Sequence, residues 1–426
     1  MADVQPLRAL HYHLNSVGPL ADLVAPPYDV IDPDQRTRLA NRSHYNVVEI
    51  DLPEADGDPY DAAARTLAGW EREGAVVQDA EPALWALSQE YDAPGDGGRR
   101  ERRGIFCRVL VEEYGAGRIR PHERTHPGPK EDRLRLTRAT KANLSPIFSL
   151  YSDPAGAAWS ALASFVAQEP WGDVTDDDGT RHRIWRVADA EAIAAVQEAT
   201  AGAELLIADG HHRYETARVY ADEVGGEGPH RYVLMCLVAL EDPGLTVFPT
   251  HRLVRGLRPE QHETLANAIR EAFDVEETTR EAIVPAGDGP LRLGYIDAHF
   301  KRPYRLTLKD PAIADRALQG HSEPYRRLDT AVLEALILKG ALEMTDDDIS
   351  HLRGLGYARG ADEALELVDR GEFDCAFFLR ATPVEQVREV AAAGESMPPK
   401  STYFFPKLLT GLLFNPLVDR PATLES

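Results

Sequence analysis

The chain has 426 residues, more than one ordinary hydrophobic core accommodates, so two or three lobes are expected. Hydrophobic residues make up 43% and charged residues 27%, the balance of a soluble globular protein. The formal net charge is −23, from 47 basic and 70 acidic residues. This charge argues against DNA or an anionic membrane as a partner of the whole surface, while a local basic pocket stays compatible with it.

The three cysteines, Cys107, Cys236 and Cys375, lie far apart and form no CxxC pair. This spacing is untypical of a disulfide framework or a cysteine zinc site, and it fits a reducing cytoplasm. The first residues hold no apolar stretch of signal-peptide length, and no run of about 18 apolar residues predicts a membrane helix. We therefore expect a cytoplasmic protein without a membrane-spanning segment.

Residues 1–154 predict an N-terminal α+β region. Pro26-Pro27 forces an extended backbone before Tyr28 and Asp29. Asp32-Pro33 is typical of a helix start, because Asp is a good N-cap and Pro suits the first turn. The other predicted elements are a strand at 46–52, a helix at 60–72, and strands at 83–91 and 104–112. A Gly- and Arg-rich turn joins the last two strands, and a solvated hairpin tip is favoured there over a basic patch.

A polar cluster follows at 119–148, where few side chains suit a hydrophobic core. Its charged and amide side chains are His122, Glu123, Arg124, Lys130, Asp132, Arg133, Arg138, Lys141 and Asn143. One interpretation is a solvated loop and helix with ion pairs. The other is a wall that binds the phosphate or carboxylate of a substrate through His122, Arg124, Lys141 and Asn143.

Residues 155–310 predict an α/β region centred on the sequence LLIADGHHRYETA at 205–217. Leu205 to Ala208 form a short buried strand, Asp209-Gly210 a turn, and Tyr214 to Glu223 a helix. The neighbouring predictions are a helix at 155–168, an exposed TDDDG turn at 175–179, a strand at 181–187, a helix at 190–200, a strand at 232–240, and two helix–strand units at 259–273 and 290–308.

The turn itself has the composition of an anion site. A helix start leaves backbone N–H groups unpaired, and the helix dipole favours anions there. Gly210, His211, His212 and Arg213 are therefore predicted to hold phosphates together with Asp209. Adjacent histidines point in different directions, which argues against a zinc pair. Asp209 with Glu215 suits Mg²⁺ better.

Residues 311–426 predict a C-terminal α/β lobe. Its predicted elements are helices at 328–339, 345–353, 361–369 and 384–393 and a strand at 375–380. A third polar cluster, MPPKSTYFFPKLLTGL at 397–412, places Lys400, Ser401, Thr402 and Lys407 among prolines and aromatic residues. Lys400 and Ser401 are predicted to bind substrate.

The chemistry that these residue types suit is phosphoryl transfer. The chain has no GxxxxGK[ST], no GxGxxG and no GxSxG, but it is rich in bases, cations and carboxylates. In phosphoryl transfer the protein mainly positions the reactants and neutralises charge. A carboxylate would activate the substrate hydroxyl, and Asp29 and Glu123 are the two candidates. His211 and His212 could bind phosphate oxygens or move protons.

Several motifs together resemble a known family. ADGHHRYETA, with APPYDVI, PHERT, RATKANLSPIF, PTHRL and MPPKSTYFFPK, is similar over essentially the full chain to the domain-of-unknown-function family 1015. That family name implies little chemistry.

A more distant resemblance covers about residues 203–220. The strand–DGHHR–helix unit is similar to the phosphate-binding motif of the ParB/sulfiredoxin superfamily, and Asp209 to Arg213 match it residue by residue. This resemblance implies an α+β (mixed α/β) fold, with a ParB/sulfiredoxin-like nucleotide-binding core elaborated by extra segments. Free-serine kinases of the superfamily hold nucleotide phosphates with such a turn and use a glutamate near the N-terminus as base. Here the corresponding region offers Asp29.

The other branches of that superfamily fit less well. Sulfiredoxins need a cysteine in the turn, where this chain has His211 and His212. ParB proteins add a helix-turn-helix, which this sequence does not convincingly contain. We therefore expect neither sulfinic-acid reduction nor a DNA partner.

The sequence thus predicts a nucleotide-dependent phosphotransferase that uses ATP, ADP or CTP with Mg²⁺. Its substrate would be a small hydroxylated metabolite such as serine. A nucleotide-responsive binding protein without turnover and a metal-dependent phosphoester hydrolase remain alternatives. No membrane partner is expected, and the oligomeric state is left open.

Overall fold

The computed structural model describes residues 2–93, 98–115, 118–122, 127–287 and 289–420; for 127–129 it describes the backbone only. The chain divides into two compact units. The first comprises Met1–Pro121, Thr125–Thr246 and Pro406–Ser426, and the second comprises His122–Arg124 and Val247–Phe405.

The first unit contains a large mixed sheet. The strands of this unit up to residue 239 are β1 (Val4–Gln5), β2 (Leu10–Tyr12), β3 (Val76–Gln78), β4 (Leu84–Asp92), β5 (Arg99–Leu110), β6 (Ile119–Arg120), β7 (Ala142–Asn143), β8 (Ile147–Tyr151), β9 (Gly172–Thr175), β10 (Arg181–Val187), β11 (Leu205–Asp209) and β12 (Tyr232–Ala239). The large sheet has the strand order β6-β11-β8-β12-β5-β4-β10-β9, with β1 beside β5, whereas β2 and β3 pair in a separate two-stranded sheet. Strand β11 therefore lies next to β8, which it meets in antiparallel pairing.

The α-helices of this unit flank the sheet and its connections. They are α1 (Leu14–Val17), α2 (Pro33–Ala40), α3 (Val48–Asp51), α4 (Pro59–Arg72), α5 (Pro127–Thr140), α6 (Ala157–Ser160), α7 (Ala163–Val166), α8 (Ala190–Thr200) and α9 (His211–Val224). Short 3₁₀ turns lie at Leu20–Asp22, Tyr28–Val30 and Pro229–Arg231.

The hydrophobic core fixes the position of the DGHHR turn. Leu205 and Ile207 of β11 are buried in one cluster with Met235 of β12 and with Tyr214 and Ala217 of α9. Because the strand and the helix are anchored in the same core on both sides of residues 209–210, the turn between them has a defined place.

The second unit is built around a smaller sheet. Its elements are β13 (Thr246–Phe248), β14 (His251–Val254), α10 (Pro259–Ala272), β15 (Phe273–Glu277), β16 (Arg292–Asp297), β17 (Tyr304–Leu308), α11 (Pro311–Ala317), α12 (Glu323–Arg326), α13 (Asp329–Leu333), α14 (Asp346–Ser350), β18 (Leu355–Ala358), α15 (Ala361–Asp369), β19 (Cys375–Phe378), α16 (Val384–Ala392) and β20 (Tyr403–Phe405). The main sheet has the order β15-β17-β16-β19-β14-β18, and β13 pairs with β20. After β20 the chain returns to the first unit, where β21 (Asn415–Pro416) pairs with β7.

The mixed α/β fold class is confirmed, and so are most of the long elements. The helices at 60–72, 190–200 and 361–369 and the strands at 181–187 and 232–240 occur within a residue or two of the predicted bounds. Asp32 caps α2 as expected, since its Oδ1 accepts from the Gln35 amide at 2.7 Å.

Residues 46–52 were predicted as a strand, and this prediction is wrong, because Val48–Asp51 form the helical turn α3. The side-chain oxygen of Asn46 accepts from the Val48 amide at 3.1 Å, which starts the turn. The side chains on both sides of the segment are buried in the fold: Val47, Val48, Ile50 and Asp51. An alternating pattern was thus produced by a turn that is buried almost all round.

The arginines of the predicted hairpin tip belong to a strand that pairs with β4, while residues 94–97 of the tip lie outside the described residues. Arg99–Leu110 is one continuous strand, β5, and Arg102 within it is only 1% exposed. The helix predicted at 155–168 is also wrong in form, since it is split into α6 and α7. Gly156 has a φ of 62° before α6, and both oxygens of Asp153 accept from the first amides of that helix at 2.9 Å.

The helix of the DGHHR motif begins earlier than predicted, at His211 rather than Tyr214. The helix predicted at 328–339 is regular only over α13 and continues as a π-helix through Glu334–Ala341. The two-unit division also differs from the three predicted consecutive regions. Strands β8, β11 and β12, from both sides of residue 154, pair within one sheet, and the chain after residue 405 returns to it.

Among the described residues, the helices fall short of the length and apolarity that crossing a membrane requires. The three cysteines are buried and free of disulfides.

Candidate functional site

The turn between β11 and α9 is built on Gly210. This residue is the N-cap of α9 and has a φ of 94°, a left-handed conformation that glycine adopts at little cost. A Cβ placed there would lie 3.1 Å from Cζ of Arg213. Gly210 also supplies no capping side chain, so the first turn of the helix presents its N–H groups without a side-chain cap. The local geometry is that of an anion-binding helix start.

Asp209 holds two cations at the same turn. Its Oδ2 lies 3.0 Å from Nζ of Lys407 and 3.8 Å from Nη2 of Arg213, and its Oδ1 accepts from the Gly210 amide at 2.9 Å. Burial by itself would raise the pKa of the Asp209 carboxyl. Lys407, followed by Arg213, outweighs burial and holds that pKa below its usual range. Asp209 is therefore a carboxylate that gathers positive charge at the helix start.

Lys407 reaches Asp209 because buried side chains hold its backbone. Nε2 of Gln89 donates to the Lys407 carbonyl at 3.0 Å, and an Nη2 of Arg102 donates to the Pro406 carbonyl at 2.5 Å. Gln89 and Arg102 are themselves joined, since Oε1 of Gln89 accepts from Nε of Arg102 at 3.0 Å. The backbone of the segment after β20 is thus hydrogen-bonded to strands β4 and β5, and this positions the Lys407 side chain at the turn.

Arg102 is an unusual buried cation. Its guanidinium lies 4.6 Å from the ring centroid of Phe148, and its Nη1 has no hydrogen-bond partner among the described residues. Burial lowers the pKa of Arg102 to about 10. Within the described ranges no carboxylate forms an ion pair with it. A buried charge without an ionic partner is costly, so its contacts to Gln89 and Pro406 carry structural weight.

Arg213 also lines a small cavity of about 40 Å³. Elements distant in sequence contribute to its lining. The polar lining residues are Tyr28, Asp51, Arg133, Thr137, Asn143, Ser145, Arg213 and Thr216. The PPYD turn, helix α5, the KANLSP segment and the DGHHR motif therefore meet at one place in the first unit.

Arg133 organises one wall of this cavity. Its Nη1 lies 3.1 Å from Oδ1 of Asp51, and its Nε donates to Asp132 at 2.7 Å. The guanidinium also stacks 4.3 Å from the ring centroid of Tyr28. Burial raises the pKa of Asp51, although Arg133 opposes this effect, and burial raises the pKa of Tyr28 to about 12. The wall combines an almost fully buried ion pair with a neutral phenol.

A larger cavity of about 310 Å³ shares Tyr28 and Arg133 with the small one. It is also lined by Arg36, Glu54, Tyr60 and Asp132. Its volume is at the lower end of the range for small-molecule sites. Space for a metabolite therefore adjoins the residues around Arg213.

The sequence of the chain over residues 4–331 matches the model of a family described as a protein of unknown function, DUF1015. The chain belongs to this family. No curated protein matches it.

Solved structures that resemble this DUF1015 chain do so distantly. A conserved hypothetical protein from Pyrococcus furiosus has a TM-score of 0.36 and 15% identity, covering 70% of this chain and 90% of its own. A mutant free serine kinase in complex with ADP has a TM-score of 0.38 and 14% identity, covering 70% and 87%. SbnI with a C-terminal truncation, from Staphylococcus aureus, has a TM-score of 0.36 and 12% identity, covering 72% and 85%. None of these values identifies an activity for the DUF1015 chain.

The predicted phosphate-binding residues form one constellation. Asp209, Gly210 and Arg213 make the contacts described above; His211 is buried and His212 half-buried at the first turn of α9. Asp29 is exposed in the turn Tyr28–Val30, next to the Tyr28 that lines both cavities. Of the two predicted bases, Asp29 is thus placed, whereas Glu123 lies outside the described residues, as does Arg124.

The predicted substrate-binding residues are divided between the units. Lys141 is exposed at the end of α5 with a φ of 51°, and Asn143 lines the small cavity. His122 belongs to the second unit, where it is buried and its Nε2 lies 2.8 Å from Oγ1 of Thr402. Lys400 and Ser401 also belong to the second unit.

The contacts of these last residues are internal. The carbonyl of Lys400 accepts from Nη1 of Arg252 at 3.0 Å, and buried Ser401 donates to the Pro398 carbonyl at 2.6 Å. A cavity of about 590 Å³ in the second unit is lined by Arg326, Asp329 and Arg380 among others and by none of the predicted site residues.

The predicted metal ligands, Asp209 and Glu215, face different partners. Asp209 contacts Lys407, whereas Glu215 lies 3.7 Å from Arg218. The part of the chain that the structure describes contains no group of three or more His, Cys, Asp or Glu suited to a metal ion. A divalent cation at Asp209 would compete with the ammonium already there, so these two residues do not by themselves fit a Mg²⁺ site.

Sequence reasoning did not assign a site role to Arg102, Lys407, Asp51 or Thr216. For Arg102 a signal exists: it shares strand parity with the buried Gly104 and Phe106, so extending the strand backwards predicts an inward side chain. Lys407 was visible only as one lysine of the third cluster, and nothing in its spacing points to Asp209, 198 positions earlier.

Proposed function

We propose that this protein is a nucleotide-dependent phosphotransferase that acts on a small hydroxylated metabolite, serine and similar hydroxy compounds included. The observation that carries the proposal is the uncapped helix start at Gly210, flanked by the guanidinium of Arg213 and the ammonium of Lys407. Such a site supplies backbone donors, a favourable helix dipole and two cations for phosphate oxygens.

The roles follow from charge. Asp209 stays ionised and orients Lys407 and Arg213, while the first-turn groups of His211 and His212 line the phosphate position. Phosphoryl transfer needs little covalent chemistry from the protein beyond positioning and charge neutralisation. Arg213 and Lys407 would supply the positive charge that neutralises the transferred phosphoryl group.

Asp29 is proposed as the base that accepts the proton of the substrate hydroxyl. It is exposed and directly follows Tyr28, which lines both cavities. Glu123 remains the other predicted base. Lys141 and Asn143 are retained as proposed substrate contacts of the first unit, and His122, Arg124, Lys400 and Ser401 as predictions from sequence.

The nucleotide would be ATP, ADP or CTP. Mg²⁺ is proposed to arrive with the nucleotide, held by phosphate oxygens and water, the usual mode for this ion at phosphate sites. The likeness of the DGHHR unit to the ParB/sulfiredoxin superfamily is in line with this proposal. We further propose a cytoplasmic location without DNA or membrane partners, in line with the charge of −23 and three free cysteines.

A nucleotide-responsive protein without turnover is the second candidate. The observation that favours it is a contrast between two carboxylates. Asp209 contacts Lys407, whereas the side chain of the exposed Asp29 forms no hydrogen bond or ion pair with another described residue. The metal-dependent hydrolase lacks comparable support among the described residues, because no carboxylate or histidine group suited to a metal accompanies the turn.

The test is direct. The full chain is incubated with ATP, ADP or CTP, Mg²⁺ and a pool of amino acids and hydroxy acids, and phosphorylated products are followed by mass spectrometry. Calorimetry measures nucleotide binding in parallel. Phosphorylated product supports the transferase, whereas tight nucleotide binding without product supports the second candidate. If neither phosphorylated product nor nucleotide binding is detected, both candidate functions are excluded.

A further inference from the structure

The small cavity of about 40 Å³ that Arg213 lines also contains a buried hydroxyl without a described hydrogen-bond partner. Thr216 is 4% exposed, and within the described structure its Oγ1 has no hydrogen-bond partner. It lies three residues after Arg213 on α9, so both side chains share one helix face, and both line the cavity. Buried hydroxyls are normally satisfied, so the cavity calls for a polar occupant.

The charges around the cavity favour an anion. Arg133 and Asp51 neutralise each other in a 3.1 Å ion pair, and Asp132 lies 2.6 Å from Nη2 of Arg133 as a second carboxylate partner. Arg213 instead donates to the Pro146 carbonyl and has its carboxylate neighbour, Asp209, only at 3.8 Å. Asp209 in turn lies closer to Lys407. The cation that is least neutralised at the cavity is therefore Arg213.

Two other polar side chains of the lining, Asn143 and Tyr28, can act as donors. Oδ1 of Asn143 already accepts from the Leu234 amide at 3.1 Å and from Asn415 at 2.9 Å, which leaves its NH₂ group for a ligand. The Tyr28 phenol stays protonated at neutral pH because burial raises its pKa to about 12. Donors next to a guanidinium are the arrangement that recognises an oxyanion.

The volume selects among oxyanions. A water needs roughly 10–15 Å³ in this measure, so 40 Å³ accommodates about three heavy atoms, the number in a carboxylate. The adjoining cavity of about 310 Å³ has room for the rest of a small molecule.

We propose that this cavity is the carboxylate subsite of the acceptor, with Arg213 and Thr216 as its principal donors. The inference rests on the proposed function and narrows its substrate class to hydroxy acids and hydroxylated amino acids. Arg213 then serves two anions: nucleotide phosphate at the Gly210 turn and the substrate carboxylate behind it. Lys141 and Lys400 are not needed for carboxylate binding.

The test uses acetate as the probe and acetamide, its uncharged analogue, as the control ligand. Binding to the full-length protein is followed by NMR titration. We expect acetate to bind and acetamide not to bind. Thr216→Val keeps the shape but removes the hydroxyl, so acetate affinity should fall roughly tenfold or more, as for a lost hydrogen bond to a charged group. Thr216→Ser keeps the hydroxyl and should bind acetate within about threefold of the wild type.

The outcomes separate this subsite from the phosphate site. Thr216→Val should leave nucleotide affinity unchanged, and inorganic phosphate should compete with nucleotide rather than with acetate. Equal acetate affinity in Thr216→Val and wild type, or a crystal structure in acetate with only water in the cavity, overturns the proposal. Failure of nucleotide binding with intact, Thr216-dependent acetate binding would instead refute the phosphotransferase and leave the carboxylate site standing.

Discussion

Nζ of Lys407 lies 3.0 Å from Oδ2 of Asp209, which joins the returning C-terminal segment to the end of β11. The pair is partly buried, with 18% and 20% of the two side chains exposed. Since a charge-assisted contact of this kind completes the cationic turn, the proposed phosphate site depends on two residues that are 198 positions apart in the chain.

Lys407→Met should weaken both the fold and the nucleotide site. At pH 7 we expect a loss of about 1–2 kcal/mol in the free energy of unfolding, because Asp209 loses a partner, and a fall in nucleotide affinity of about tenfold. Lys407→Arg keeps the charge and should retain most of both. Denaturant unfolding and calorimetry measure the two effects; unchanged affinity in Lys407→Met would remove Lys407 from the site.

The cost of Lys407→Met should depend on pH. In the wild type the pKa of Asp209 lies below its unfolded value, so the stabilisation from the pair is fully present above about pH 4 and is lost as the pH falls further. The stability difference between wild type and Lys407→Met should therefore shrink below pH 4. Unfolding curves from pH 7 down to pH 3 check this, and a difference that is constant over the range would contradict it.

Gly210→Ala should be destabilising, although alanine favours helices. The φ of 94° costs an L-residue about 1–2 kcal/mol, and the new Cβ would press on the Arg213 guanidinium at 3.1 Å. The matched control is Gly69→Ala inside α4, where a Cβ meets nothing closer than 3.8 Å. That change should stabilise the protein by about 0.5–1 kcal/mol. Thermal unfolding of the two variants should shift in opposite directions.

Arg213→Ala should abolish measurable nucleotide binding, because it removes the cation at the helix start and one donor of each proposed anion site. Arg213→Lys keeps the charge without the planar fork and should bind nucleotide weakly. Calorimetry with ATP and ADP measures the affinities, and circular dichroism verifies the fold. If Arg213→Ala binds nucleotide like the wild type, the turn is structural.

Arg102→Gln should act on the site through Lys407. The change leaves the Pro406 carbonyl and Gln89 without their buried donor and should cost about 1–3 kcal/mol. Arg103→Gln is the matched control, because Arg103 is 40% exposed and pairs with Glu101, and its loss should stay within about 0.5 kcal/mol. A double-mutant cycle discriminates further: once Lys407 is Met, Arg102→Gln should reduce nucleotide affinity little more. If the effects of the two substitutions on nucleotide affinity are fully additive, Arg102 does not act through Lys407.

Arg133→Met tests the wall of the small cavity. It leaves the Asp51 carboxylate buried without its partner, at a cost of about 3–5 kcal/mol at pH 7. Burial raises the pKa of Asp51 in the folded state, so the penalty should be largest above that pKa and should diminish as acid protonates the group. Adding Asp51→Asn should recover part of the stability at pH 7. No recovery would mean that Arg133 acts by packing alone.

The sequence alone determined much of the local structure. Asp32-Pro33 starts α2, the period of Ala63, Leu67 and Trp70 predicts the buried face of α4, and the apolar run at 205–208 followed by Asp209-Gly210 predicts a strand and a turn. These features follow from capping, helical periodicity and the conformational freedom of glycine, which act over a few residues. The DGHHR turn, the proposed phosphate site, could be located for the same reason.

Only the tertiary structure decided what surrounds that turn. Gln89 and Arg102 donate to the backbone carbonyls of Lys407 and Pro406, and the Lys407 ammonium contacts Asp209. Thr216 and Tyr28 line the same cavity. These contacts join residues far apart in sequence, so the spacing of residues within a motif cannot predict them. Residues 46–52 show the same limit: their alternation fits a strand, but Asn46 and burial of nearly every side chain make a helical turn. Local sequence patterns determine local geometry. Which charged side chains meet is decided by long-range packing, because β5 and β11 belong to one sheet and residues 406–407 contact both strands.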